Sequence, residues 1–179
     1  MTKQIDLSNM NYYEVEPENN SFFDVVTDIT HRCNMECKNC YVPNRFIPDM
    51  EVEPYEKFVS KLPKPIMLRI VGAEPTLHPQ LIDFINIGFK YGHNCILITN
   101  GLRMASQSFV DKIEATGLKH VYMSLNGIDN DDWYEQIDEM RCAQKKIKAF
   151  KNCKDKFNMN AGIILVKGIN EQAPACLLY

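Results

Sequence analysis

Apolar, β-branched runs alternate with helical stretches along this chain, and that alternation limits the folds open to it. Strand-like runs are read at residues 22–30, 66–71, 95–99, 120–125 and 161–166. Each is short, rich in Val, Ile or Thr, and closed by a polar or glycine-bearing turn. Between them, apolar residues recur at helical spacing. Tyr55, Phe58, Val59 and Leu62 mark one helix after Glu53-Pro54, where proline suits the first turn. Leu81, Ile82, Ile85 and Phe89 mark a second, opening near His78-Pro79 and stopping at Gly92. A third runs from Ser106 or Ser108 to Gly117. A long fourth follows the acidic N-cap candidates Asp129 to Asp132, with Trp133, Ile137, Met140, Ile147 and Phe150 inward and Lys145, Lys146 and Lys148 outward. Strands separated by helices imply right-handed crossovers and a parallel sheet. At 179 residues the chain is too short for an eight-fold barrel of about 250 residues. The expected class is α/β: a partial (open) parallel β/α barrel of about five strands.

Ligands sit at the carboxyl ends of the strands in such folds, and the first of those ends carries the most specific pattern in the chain. Cys33, Cys37 and Cys40 follow strand one on one short loop, so three thiolates can converge on a metal centre. Soft sulfur ligands select iron–sulfur clusters or zinc. Structural zinc usually draws four ligands from two separated pairs. Here His31 is the near candidate for a fourth, and no second Cys-x-x-Cys occurs. Three ligands suggest instead a 4Fe-4S cluster with one iron left open. Zinc with His31, or an electron-carrying cluster, is the rival reading.

Cys-x3-Cys-x2-Cys after Thr27-Asp28-Ile29-Thr30 resembles the cluster loop of the radical S-adenosylmethionine (radical SAM) enzymes. The resemblance implies that S-adenosyl-L-methionine (SAM) chelates the open iron through its amino and carboxylate groups. One electron from the cluster then cleaves the sulfonium to methionine and a 5′-deoxyadenosyl radical. It also implies an adenine contact near Tyr41, and a role for Gly72-Ala73-Glu74-Pro75 after strand two as the segment that meets the SAM ammonium. Thr99-Asn100-Gly101 after strand three is family-like and makes Asn100 a cofactor candidate. Ser124 and Asn126 share a strand face with Tyr122 at period two, at the position implied to contact the SAM ribose and carboxylate. Residues 164–168 resemble the adenine-contacting end of strand five, with Val166 as the candidate. The family has six strand–helix units and this sequence supplies five strands, so the domain is either naturally minimal or a fragment.

The activity so implied is reductive SAM cleavage and hydrogen abstraction from a peptide or small-molecule substrate, with the catalytic residue unidentified. A glycyl-radical-activating enzyme acting on a protein partner is the alternative within the family. A non-enzymatic metal-binding or electron-transfer module is the alternative outside it. A one-electron reductant such as a flavodoxin or ferredoxin is the expected partner. Net charge −3 and pI near 5.8 argue against broad nucleic-acid binding, which needs a basic surface. No apolar run approaches the roughly 20 residues of a membrane span. Residues 1–20 are polar and asparagine-rich without a signal-peptide core; they read as a flexible segment ahead of a domain over residues 21–179. Cys95, Cys142, Cys153 and Cys176 show no paired spacing and read as reduced, buried thiols of a cytoplasmic protein. Arg69 and Asp28 read as members of structural pairs. The side beside strand five lacks a wall; the N-terminal twenty residues, a second copy, the substrate or a further C-terminal portion are candidates to cover it, and self-association or closure on a docked macromolecular substrate is the expectation.

Overall fold

The computed structural model describes residues 23–42, 45–62 and 65–173. The expected flexible segment at residues 1–20 and Cys176 lie outside the described residues. The strands are β1 (Asp24–Asp28), β2 (Met67–Val71), β3 (Asn94–Thr99), β4 (His120–Ser124) and β5 (Asn158–Gly162). They form one parallel sheet in the order β1-β2-β3-β4-β5. The helices are α1 (Val52–Val59), α2 (Leu81–Lys90), α3 (Gln107–Glu114), α4 (Asp131–Asp138) and α5 (Ala143–Cys153). Two single turns of 3-10 helix, Pro75–Leu77 and Leu102–Ala105, lead away from β2 and β3. This is the expected open α/β barrel. No helix among the described residues is long and apolar enough to cross a membrane.

The sheet's two faces differ. Leu68, Ile70, Leu97, Val121 and Met123 are fully buried beneath the helices, while Arg69, Ile96, Ile98, Tyr122 and Ser124 are half-buried on the other face. Strand β3 is a near-continuous apolar run of the kind parallel sheets bury on both faces, yet Ile96 and Ile98 are only half-buried. A five-stranded arc does not close on itself, so its concave face keeps an opening. On the helical face α2 approaches β3 closely, because Gly88 leaves room for Cys95; a Cβ at 88 would lie 2.4 Å from the Cys95 sulfur. Cys95, Cys142 and Cys153 are free and buried. Burial pushes the thiols of Cys95 and Cys153 up to about 12, which keeps them protonated and unreactive. Arg69 pairs with Asp24 on the neighbouring strand at 2.6 Å.

Three expectations are corrected. The long fourth helix is two helices. Glu139 adopts φ 53° at the end of α4, and the Asp131 carboxylate accepts from the Ala143 amide at 2.7 Å, which starts α5 on a new axis. Lys146, expected to face outward, is fully buried. Strand five lies at Asn158–Gly162 rather than over the apolar residues 161–166. Two side-chain amides explain that displacement. Asn126 Oδ1 accepts from Ile164 N at 3.0 Å, and Asn170 Oδ1 accepts from Val166 N at 2.7 Å. These donors are thereby satisfied away from the ladder, and the chain leaves the sheet at Gly162. A Cβ at Gly162 would lie 2.1 Å from the Tyr122 hydroxyl, so a side chain there would displace that ring.

Candidate functional site

The exits of β1 and β2 run side by side beyond the sheet. Ala73 N donates to Thr30 O at 2.8 Å and Glu74 N to Arg32 O at 2.9 Å. Gly72 is required by this approach, since a Cβ there would lie 2.5 Å from Thr30 O. Among the described non-glycine residues only Ile128 and Glu139 have positive φ, so Ala73 sits in this turn without backbone strain. Asp49 ties the same strand exit down. It accepts from Thr30 Oγ1 at 2.5 Å and from Arg32 Nε at 3.1 Å.

The cysteine loop is pinned at several points. Lys38 N donates to Ile137 O, and Cys40 N to Cys37 O, both at 3.1 Å. Met35 plugs a small apolar cluster of Leu102, Tyr134, Cys142 and Ala143, against which Cys33 and Cys37 pack. Asn100 joins this loop to β3: its Nδ2 donates to Asn34 Oδ1 at 2.8 Å, and its Oδ1 accepts from Leu102 N at 2.9 Å. Arg45 donates to the Cys40 sulfur at 3.2 Å. Burial, followed by the charge of Asp138 and a hydrogen bond to it, pushes the Cys37 thiol up to about 12.

One cleft gathers these parts. It is lined by Cys33, Cys37 and Cys40, by Tyr41, by Gly72 and Ala73, by Asn100, and by Ser124 and Asn126. Counted to its open mouth it holds about 730 Å³. Tyr41 is 75% exposed at the rim. Three expected site residues are placed elsewhere. Val166 does not line the cleft; Ile164 does, because the chain leaves the sheet earlier than expected. Pro75 is buried in the 3-10 turn that leaves β2. Glu74 is fully buried behind the wall. Its Oε1 accepts from Thr76 N at 3.0 Å, Thr76 Oγ1 at 2.5 Å and Thr99 Oγ1 at 2.7 Å, while Oε2 accepts from Asn100 N at 2.7 Å. The carboxylate joins the ends of β2 and β3 rather than facing the cleft.

Two charged residues of the wall were not anticipated. Lys146 reaches up from α5, and its ammonium donates to the carbonyls of Asn100 and Ser124, the latter at 3.0 Å. It therefore links the ends of β3 and β4 while also lining the cleft. Burial lowers the pKa of this ammonium, and Cys142 and Asp138 act against that. Asp138, buried at the end of α4, accepts from Asn126 Nδ2 at 2.9 Å. The signal for Lys146 is faint but readable. It stands three residues from Ala143 and from Ala149, both buried, so the stripe that carries it is lined by small side chains.

The donor set is one of sulfur. Cys33, Cys37 and Cys40 line the same cleft, and soft thiolates suit an iron–sulfur cluster, which presents separate irons to separate ligands. His31 sits 3.2 Å from the Asp28 carboxylate.

The chain from residue 27 to 175 matches the family model described as Radical SAM superfamily. Relatives include the 7,8-dihydro-6-hydroxymethylpterin dimethyltransferase of Methanocaldococcus jannaschii, 24% identical over 155 residues, covering 80% of this chain and 30% of the relative. The probable GTP 3',8-cyclase of Pyrococcus horikoshii is 26% identical over 149 residues, covering 80% of this chain and 47% of the relative. The PqqA peptide cyclase of Bradyrhizobium diazoefficiens is 27% identical over 110 residues, covering 59% and 29%. The chain thus spans less than half the length of these curated relatives. Among solved structures, Streptococcus suis SuiB bound to precursor peptide SuiA superposes with a TM-score of 0.70 at 17% identity, over 87% of this chain and 36% of that one. The anSMEcpe structure with bound AdoMet and Kp18Cys peptide gives 0.64 at 17% identity, over 77% and 42%. At that identity the likeness is one of fold.

Proposed function

This chain belongs to the radical SAM superfamily, and from that premise we propose that its cleft holds a 4Fe-4S cluster on Cys33, Cys37 and Cys40 with SAM beside it. The activity so served is hydrogen abstraction from a peptide or small-molecule substrate, driven by a one-electron donor such as a flavodoxin or ferredoxin. The observation that carries the reading is the cleft itself, where the three thiols meet the polar ends of β2, β3 and β4 on one wall. When bound, the two groups supply the one-electron cleavage of a sulfonium and the carbon radical that follows; the protein supplies binding, orientation and a dry pocket.

The chain's own residues divide that work. Cys33, Cys37 and Cys40 bind the cluster. Gly72 and Ala73 offer backbone at the cleft wall for the SAM ammonium, and Glu74 acts as a positioning residue that fixes Asn100 and Thr99. Ser124 and Asn126 face the ribose and carboxylate end. The Lys146 ammonium, already on that wall, adds the positive charge that a carboxylate prefers. Tyr41 covers the adenine side, and Ile164, 49% exposed, forms the opposite lip. Relatives named for a peptide, a pterin and GTP support a peptide or small-molecule substrate. The free buried thiols support a reducing, cytoplasmic setting.

Anaerobic reconstitution tests the reading. About four irons and four sulfides per chain are expected, together with SAM cleavage under dithionite. Replacing Cys33, Cys37 or Cys40 with Ala should abolish the visible absorbance, while Cys95→Ala should keep it. Zinc as the sole bound metal, or an intact cluster in Cys37→Ala, would sink the assignment.

A further inference from the structure

A second cleft lies outside the barrel, between the 3-10 turn Leu102–Ala105, α3 and α5. It is wide and open, about 1350 Å³ counted to its mouth as for the first cleft, and Arg103, Lys112, Lys145 and Lys148 line it without any carboxylate. All four cations are exposed, and among the described residues none of them forms a salt bridge. Arg103 lies 4.4 Å over the Phe109 ring and also donates to Thr76 O. The patch is thus opposite in sign to the chain as a whole, whose net charge is −3. Like charges gathered without counterions repel, so the patch costs stability unless a negative partner repays it.

The floor of this cleft connects it to the cysteine loop. Leu102 lines the basic cleft on one side. On its other side it packs in the small apolar cluster that holds Met35 and against which Cys33 and Cys37 rest. Leu102 is therefore shared between the basic surface and the apolar cluster on which two of the three thiols rest. Electron tunnelling falls steeply with distance, so a donor must come within a side chain or two of the acceptor.

We propose that this basic cleft is the docking face for an acidic flavoprotein of the flavodoxin kind, whose flavin delivers an electron through Leu102 to the cysteine-bound centre. The inference rests on the cluster assignment made above. The step balances simply: the flavin hydroquinone is oxidised by one electron, the centre is reduced by one, and no bond or proton is exchanged. Exposed cations on the acceptor and carboxylates on the donor steer the encounter, so association should weaken steeply with salt.

The experiment compares two reductants on the reconstituted full chain. The variant carries Lys112→Glu, Lys145→Glu and Lys148→Glu, all exposed and outside the catalytic cleft; Lys57→Glu, Lys61→Glu and Lys119→Glu, exposed and outside both clefts, are together the charge-matched control. Reduced flavodoxin and dithionite drive SAM cleavage in parallel, and flavodoxin affinity is read by calorimetry at low and moderate salt. The expected result is a loss of flavodoxin affinity of roughly tenfold or more in the triple variant, little change in the control, and equal dithionite-driven cleavage in all three proteins. Equal flavodoxin affinity and flavodoxin-driven rate in wild type and triple variant would overturn the docking face while leaving the cluster assignment intact. Failure of dithionite to cleave SAM in the wild type would overturn the assignment and the docking face together. If the triple variant loses affinity for a single-stranded RNA but none for flavodoxin, the cleft is a nucleic-acid surface and the proposal falls.

Discussion

The two sides of the barrel cleft are built from different chemistry. On the side of β1, β2 and β3 a single buried carboxylate, Glu74, gathers donors from Thr76, Thr99 and Asn100. Asn100 passes that order on to the cysteine loop through Asn34. On the side of β4 and β5 the exit of the chain is held by neutral amides, one of which, Asn126, is itself braced by the buried Asp138 carboxylate. Asn126 and Asn170 hold residues 164–166, and Ile164 and Leu165 are left 49% and 53% exposed. Hydrogen bonds to a buried charge are stronger than neutral ones and more costly to break. The cysteine side is accordingly a fixed cradle and the far side an adjustable lip. In the function proposed above, that division would hold the cofactors in one geometry while leaving one side open to a substrate.

The sharpest way to break this contrast is Glu74→Gln. The amide keeps the shape but turns one acceptor into a donor, which then faces either the Thr76 and Thr99 donors or the Asn100 amide. The expected loss is about 3 kcal/mol of folding stability, the upper range for a hydrogen-bonded buried charge, measured by urea unfolding without added cofactor. If stability is unchanged and only SAM affinity falls, Glu74 meets the cofactor rather than the frame, and the cradle is not what fixes the cysteine side.

Lys146 belongs to both sides, since its ammonium bonds the carbonyls of Asn100 and Ser124. Lys146→Met keeps the length and the apolar contacts while removing the two bonds. A loss of about 2 kcal/mol is expected, the scale for leaving buried acceptors without partners. SAM affinity should fall as well, because the replaced ammonium lines the cleft. Wild-type stability would mean that the backbone ladder alone holds β3 to β4 at their ends.

Much of this architecture is legible in the sequence, and the failures have a common cause. The strand–helix alternation, the glycine at 72 and the shared face of Ser124 and Asn126 depend on local spacing and local chirality. Each can be read from a window of a few residues. The position of β5 cannot. The run Ile163-Ile164-Leu165-Val166 has every local mark of a strand, yet Asn126 and Asn170 capture its amides from other parts of the chain. The role of Glu74 is hidden in the same way, because Thr99 and Asn100 come from a different strand end. Helical spacing places Lys146 on the same stripe as Ala143 and Ala149, but a lysine is ordinarily solvated. Its burial is explained by two carbonyls that only the folded sheet brings together.

The smallest effect is expected on the lip. Asn170 is fully buried, and its Nδ2 donates to Asn126 O at 2.8 Å and Ile164 O at 2.9 Å while its Oδ1 accepts from Val166 N. Asn170→Ala removes all three bonds, yet each is neutral and the segment it holds is half open to water, which can replace part of what is lost. A global destabilisation of only about 1 kcal/mol is expected. The local effect should be larger than the global one. Amide hydrogen exchange at Val166, whose acceptor is removed, should accelerate towards unprotected rates, while the amides of Thr76 and Asn100, bonded to Glu74, keep their protection. Exchange that rises equally at Asn100 and Val166 would show that the two sides open as one unit, and that the lip is no more adjustable than the cradle.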